Sequence, residues 1–269
     1  MKVNNQYPHL LHFNIFEKHT ELFGFTTTIA GGVSKGNYAS FNLGMYGGDE
    51  IASVAQNREH LSSALGIEEE NLITPYQTHE DKILVVDSSF LEATDLEKSK
   101  LSYAIDAIIT NKKNIGIGVG TADCVPILLY DPAKQVLAAV HAGWRGTVLK
   151  IAKKTVEKMI ERFGCEADNI IAGIGPSISC EYFEVGDEVV ETFNKSDFQI
   201  QDIGYKNEAT GKMHLDLWKA NQFLLVQSGI SIDNIEISGL CTYSNPSLFF
   251  SARRQTIHSG RMITGGVLK

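Results

Sequence analysis

The stretch Thr121–Gly146, TADCVPILLYDPAKQVLAAVHAGWRG, constrains the fold more than any other part of the chain. Two apolar runs, Ile127–Tyr130 and Gln135–Val140, flank Asp131-Pro132-Ala133-Lys134. Asp at the first turn position and Pro at the second suit a type I turn, so the pattern predicts an antiparallel hairpin. With a two-residue loop centred between Pro132 and Ala133, Tyr130 faces Gln135, Ile127 faces Ala138 and Cys124 faces His141. Opposed side chains in such a pair have Cβ atoms about 4.5–5.5 Å apart. A thiol and an imidazole are therefore expected on one face, within reach of a shared atom. The competing reading makes Cys124 a small buried hydrophobe and His141 an ordinary strand-end residue. The register, the polar neighbour Asp123 and the turn beyond His141 favour a site. In that turn, Ala142-Gly143-Trp144-Arg145-Gly146, glycines, a helix start and Arg145 together favour an anion.

Further strand-like runs recur at Ile83–Val86, Ala104–Ile109, Ile115–Val119, Ile170–Ile174 and Ile235–Ser238. Helical periodicity is confined to Asp49–Leu65, Thr147–Phe163 and His214–Ser228, each followed by a glycine. The polar stretch Glu92–Ser102 reads as a surface loop or short helix. Strands outnumber helices without alternating strictly with them. The expected fold is α+β, a single domain over residues 1–269 with mixed, largely antiparallel sheets flanked by helices.

A net charge of -8 and a pI near 5.5 argue against a nucleic-acid surface, which needs a basic face. No segment has the roughly 20 uninterrupted apolar residues of a membrane span, and the start, MKVNNQYPHLLHFNIF, lacks the layout of a secretory signal. Cys124, Cys165, Cys180 and Cys241 are scattered, with no C-x-x-C pair. A cytoplasmic, reduced protein is expected, in which a special cysteine serves catalysis or metal binding.

The segments TADCVPILLYDP and HAGWRGT resemble the signature of the YfiH or laccase-domain family. So do GGVSKGNYASFNLG, NREHL, PYQTHEDKI, GPSISCEYFEVG and CTYSNPSLFFSARR with SGRM, in that order along the chain. The chain departs from the family pattern at Ile29, Tyr182-Phe183 and Ala252. Members of the family are regarded as purine nucleoside phosphorylases with adenosine deaminase activity. The resemblance implies a metal, usually zinc, on His79, Cys124 and His141. Two imidazoles and a thiolate with an open fourth position also suit catalytic zinc on chemical grounds.

The reaction so implied is phosphorolysis of adenosine, inosine, guanosine or S-methyl-5'-thioadenosine by inorganic phosphate, releasing the base and ribose 1-phosphate, with adenosine deamination as a side activity. Phosphate needs cationic anchors, for which Arg58, Arg145, Arg253, Arg254 and Arg261 are candidates. Asn42 and Gln77 are candidates for base or ribose contacts. The zinc-deaminase pattern H-x-E with P-C-x-x-C is absent, so deamination rests on the resemblance alone. Three alternatives stand beside this reading. Copper-dependent polyphenol oxidation (Cu2+ in place of Zn2+) is one, though the eight histidines include no His-x-His pair. A metal-free hydrolase with Cys124 as nucleophile and His141 as base is another. The last is a module that only binds a partner. The expected assembly is a monomer or weak homodimer.

Overall fold

The computed structural model describes residues 1–4 and 6–269. Its centre is two six-stranded sheets packed face to face, with helices on both outer faces. The second sheet carries the hairpin. Its order is Ile235–Ile237, Ile171–Ile174, Val125–Asp131, Val136–Ala142, Ala107–Thr110 and Ile83–Val86. The inner pairings are antiparallel and the two outermost are parallel. The first sheet runs Lys2–Val3, Leu10–His12, Leu22–Thr27, Met262–Leu268, Gly116–Thr121 and Leu72–Ile73, antiparallel except for its last pair. A small three-stranded antiparallel sheet of Glu184–Val185, Met213–Leu215 and Gly204–Lys206 sits to one side. The α+β expectation of mixed, largely antiparallel sheets flanked by helices is met.

Period-two alternation along the hairpin explains the layering. Leu128, Tyr130, Leu137 and Ala139 point between the sheets and meet Ile117, Val119 and Phe16. Ile127, Leu129, Ala138 and Val140 point the other way, onto the helices Ile151–Phe163 and Leu217–Gln227 through Val156, Met159 and Leu224. Both faces of this sheet are covered, which is why its strands read as continuous apolar runs. The outer face of the first sheet packs Phe25 and Ile263 against Leu61 and Leu65 of the helix Ile51–Leu65.

Three local expectations need correction. The hairpin pairs Val125 with Ala142, Pro126 with His141 and Asp131 with Val136, so its connection is four residues long rather than two. The cause is Asp131, whose Oδ1 accepts hydrogen bonds from the N–H groups of Ala133 (2.9 Å) and Lys134 (3.0 Å). This side-chain turn stabilises a wider loop, which closes through Gln135 at φ 51°. The helix expected over Thr147–Phe163 is two pieces, Trp144–Val148 and Ile151–Phe163, divided at Lys150 in the left-handed region (φ 62°). The helix expected over His214–Ser228 starts at Leu217, because Met213–Leu215 is taken up by the small sheet and Asp216 caps the helix from its side chain.

Two central strands, Leu22–Thr27 and Met262–Leu268, are absent from the apolar runs read in the sequence. Both are interrupted by glycine, which weakens a strand signal. At Gly265 the interruption is required: a Cβ there would lie 2.0 Å from the Ile117 carbonyl oxygen.

Candidate metal centre

Three separate segments bring His79, Cys124 and His141 together, with one ligand atom from each lying within 4.8 Å of the others. His141 stands at the end of Val136–Ala142, one of the most buried strands of the molecule. Cys124 occupies the turn between Gly116–Thr121 and Val125–Asp131. The observed register places Cys124 beyond the paired residues, opposite Gly143 instead of His141. A shift of two preserves the side on which each residue points, so the thiol and imidazole still share a face. Their meeting is diagonal, and Gly143 makes it possible. A Cβ at Gly143 would lie 3.0 Å from Cys124 Sγ and 3.2 Å from His79 Cδ2.

His79 lies on the loop leading into the edge strand Ile83–Val86. Its backbone is left-handed (φ 66°), an uncommon conformation for a residue with a side chain. Asp106 holds it there. This buried carboxylate accepts from the backbone N–H groups of Thr78 (3.2 Å), His79 (3.0 Å) and Glu80 (2.8 Å). It also accepts from His141 Nδ1 at 2.7 Å, which leaves Nε2 of that imidazole for the shared centre. One side chain thus positions two ligands, in the manner of the carboxylates that orient metal-bound histidines.

The electrostatics agree. Burial pushes the Cys124 thiol up, but the His141 and His79 imidazoles outweigh it and hold the thiol below its ordinary range. Burial pulls His141 down, yet the Cys124 sulfur and the Asp106 carboxylate hold its imidazole above the usual range. The pocket favours a thiolate, the form that binds metal. Cys180 and Cys165 are pushed up to about 11 and about 12 by burial and neighbouring carboxylates. Among the described residues this trio is the one cluster of three or more potential metal-ligating side chains. A thiolate with two imidazoles fits zinc, and it also fits a single copper ion.

The trio opens into a cavity of about 580 Å³, lined also by Gln77, Thr121, His258 and Arg261. Among the described residues, Arg261 is the sole arginine on its wall. Its Nη1 donates to the Ser259 carbonyl and hydroxyl and the Gly260 carbonyl, which anchors the guanidinium beside the cavity. Gln77 is tied to Gly120 in both directions, donating to its carbonyl at 2.9 Å and accepting from its N–H at 2.8 Å.

The remaining candidates lie outside the cavity lining. Arg145 is exposed, with its guanidinium 4.4 Å from the centroid of the Trp144 ring. Arg253 donates to the carbonyls of Tyr182 and Glu184. Arg254 donates to those of Thr242, Tyr243 and Phe249. Arg58 is buried against Thr74 and the Leu72 carbonyl. Asn42 bridges Asp49 and the N–H groups of Gly44 and Arg261.

Sequence reasoning missed Asp106. The available signal was a lone carboxylate inside the apolar run Ala104–Ile109, since a charged residue buried among apolar ones needs partners. Tyr46, Tyr76 and His258 were also missed, and nothing in their local sequence marks them as cavity residues.

An α+β double sheet bearing one Cys-His-His cluster is the class of protein that these observations define. The whole fold matches the crystal structure of the hypothetical protein YfiH of Bacillus licheniformis, at TM-score 0.90 and 32% identity over 99% of this chain and 98% of that one. The chain belongs to the family described as multi-copper polyphenol oxidoreductase laccase, which it matches over residues 23–269. It is 40% identical to a purine nucleoside phosphorylase of Bacteroides thetaiotaomicron over 95% of each chain. It is 44% identical to adenosine deaminase RL5 from an unknown prokaryotic organism, over 90% of this chain and 92% of the relative. Relatives named as enzymes thus span nearly the whole sequence. Among the described residues no helix is long and apolar enough to cross a membrane.

Proposed function

We propose that the chain, across residues 1–269, is a zinc-dependent purine nucleoside phosphorylase with a secondary adenosine deaminase activity. The observation that carries this reading is one cavity holding the Cys-His-His cluster and a single anchored arginine, in a chain whose relatives bear those two enzyme names. His79, Cys124 and His141 would hold the ion, which when bound supplies a Lewis acid for phosphate or water. Asp106 keeps His141 in one tautomer. Arg261 is the phosphate anchor, because it lines the cavity and its guanidinium is held in place by Ser259 and Gly260. A phosphate oxygen attacks the ribose anomeric carbon, the bond from that carbon to the base nitrogen breaks, and the base leaves with the electron pair and takes up a proton. Arg58, Arg253, Arg254 and Asn42 would act indirectly, through the segments they hold. The protein would act in the cytoplasm on free purine nucleosides.

The test is purified, metal-analysed protein incubated with adenosine, with and without phosphate. Adenine and ribose 1-phosphate only when phosphate is present support phosphorolysis, and inosine supports deamination. Stoichiometric zinc with no product from any purine nucleoside rejects the proposal. Copper with phenol oxidation would establish the reading implied by the family's description. Phosphorolysis or deamination undiminished after complete metal removal would favour Cys124 as a direct nucleophile.

A further inference from the structure

The cavity has two unlike kinds of lining. The ligand trio is one, and Arg261 stands by the rim, with its side chain against Gly44 and its Nη2 donating to the Ile257 carbonyl. The other is an apolar rim. The loop Leu43–Gly48 presents Met45 and Tyr46, and the segment 252–258 presents Ile257. These three side chains are 53%, 68% and 74% exposed, although all line the same opening. Large apolar groups gathered around one opening mark a place where something apolar docks.

Tyr76 gives this rim its geometry. It lies three residues before His79, so the loop that presents the ligand also presents the ring. Tyr103 stacks on it with centroids 5.0 Å apart and planes 11° apart. Tyr46 meets it edge to face at 4.6 Å and 74°. Tyr38 donates its hydroxyl to the Gly47 carbonyl at 2.6 Å, which pins the loop carrying Tyr46. The result is a braced aromatic surface whose outermost ring, Tyr46, is mostly open to solvent. Such a surface suits a flat heteroaromatic ring, because stacking requires an accessible π-face and little adjustment.

We propose that the aromatic rim is the base-recognition subsite, where the purine of the substrate stacks on the exposed ring of Tyr46, braced by Tyr76, while its ribose points toward the ligand trio. This rests on the nucleoside reading above and assigns a direction to the bound substrate. A nucleoside with phosphate is itself divided in this way, with a flat base at one end and charged oxygens at the other. The apolar rim and the ligand trio of the cavity match that division.

The test compares zinc-loaded wild type with Tyr46→Leu, Tyr46→Phe and Tyr76→Leu, by calorimetric titration with adenosine and by phosphorolysis kinetics. Tyr46→Leu is expected to weaken adenosine binding and raise its KM roughly tenfold, the scale of losing one ring stacked on a base. Its kcat, its KM for phosphate and its metal content should stay within about twofold of wild type, and Tyr46→Phe should behave like wild type. Adenosine affinity unchanged in both leucine variants overturns the subsite, even if phosphorolysis itself is confirmed. Wild type that binds adenosine but turns none over defeats the activity reading, and the titrations of the leucine variants then decide the subsite alone. Wild type that binds no adenosine overturns the subsite as well.

Discussion

Two buried aspartates flank the ligand trio, and they do different work. Asp106 faces the centre: it accepts from His141 Nδ1 and from the backbone of the loop carrying His79. Asp123, next to Cys124, faces away. Its carboxylate accepts from the hydroxyls of Thr242 (2.6 Å) and Ser251 (3.0 Å) and from the Arg253 N–H (2.6 Å), while its own backbone is left-handed (φ 86°). One carboxylate sets the charge and orientation of two ligands. The other ties the turn that bears the third ligand to a distant part of the chain. A buried carboxylate near a site is therefore no guide to chemistry until its partners are known.

The comparison can be broken by substitution. The reference, and the largest expected effect, is Cys124→Ala, which removes a ligand outright. Its metal affinity should fall by more than the roughly 100-fold that loss of an outer partner produces. Full zinc occupancy in that variant would remove Cys124 from the centre. Asp106→Asn comes next, with metal affinity expected to drop about 10–100-fold, measured by competition with a chelator. Its pH signature is specific. Burial pushes Asp106 up, but His141 and the loop N–H groups outweigh it and hold the carboxyl below its ordinary range. A depressed carboxyl stabilises the fold above its unfolded pKa and loses that contribution as pH falls through the folded one. The stability gap between wild type and Asp106→Asn should therefore close in acid, below about pH 4. A gap independent of pH would contradict the charged role assigned to Asp106.

Asp123→Ala should show the reverse pattern. It leaves two hydroxyls and one N–H without their acceptor, a cost of about 2–4 kcal/mol in denaturant unfolding. The folded fraction should keep metal affinity within about tenfold of wild type, less than the loss of an outer partner at its worst. An affinity loss as large as that of Asp106→Asn, without a stability loss, would erase the distinction between the two aspartates. The smallest effect is kinetic. In metal-free protein near pH 7, iodoacetamide should label Cys124 ahead of Cys180 and Cys165, which are pushed up to about 11 and about 12. Added zinc should slow only the Cys124 reaction, and equal labelling of all three would argue against an activated thiol.

Much of this was legible in the chain itself. The hairpin strands, the Ile83–Val86 strand and the α+β class follow from apolar runs and their punctuation. Cys124 and His141 could be paired by counting, although the count missed the register by two because Asp131 stabilises a longer loop through its side chain. Parity survived that error, and so did the inference. His79 was unreadable from local pattern and came only through family resemblance, since its approach depends on a loop folded around Asp106. The strands Leu22–Thr27 and Met262–Leu268 were hidden by glycines that the packing requires. The arginines divided by tertiary context: Arg253, Arg254 and Arg261 all donate to backbone carbonyls, but of the three Arg261 lines the cavity, and no sequence pattern announces that.

The left-handed backbone at His79 has a consequence for motion. Three N–H bonds to one carboxylate hold that loop at the edge of the second sheet, where it can open without disturbing the core. An ion shared with Cys124 and His141 would fasten the same loop to the sheet's interior strands. Metal occupancy would then govern how often the edge of the sheet opens, so that amide exchange at residues 78–80 reports on the ion without any assay of turnover.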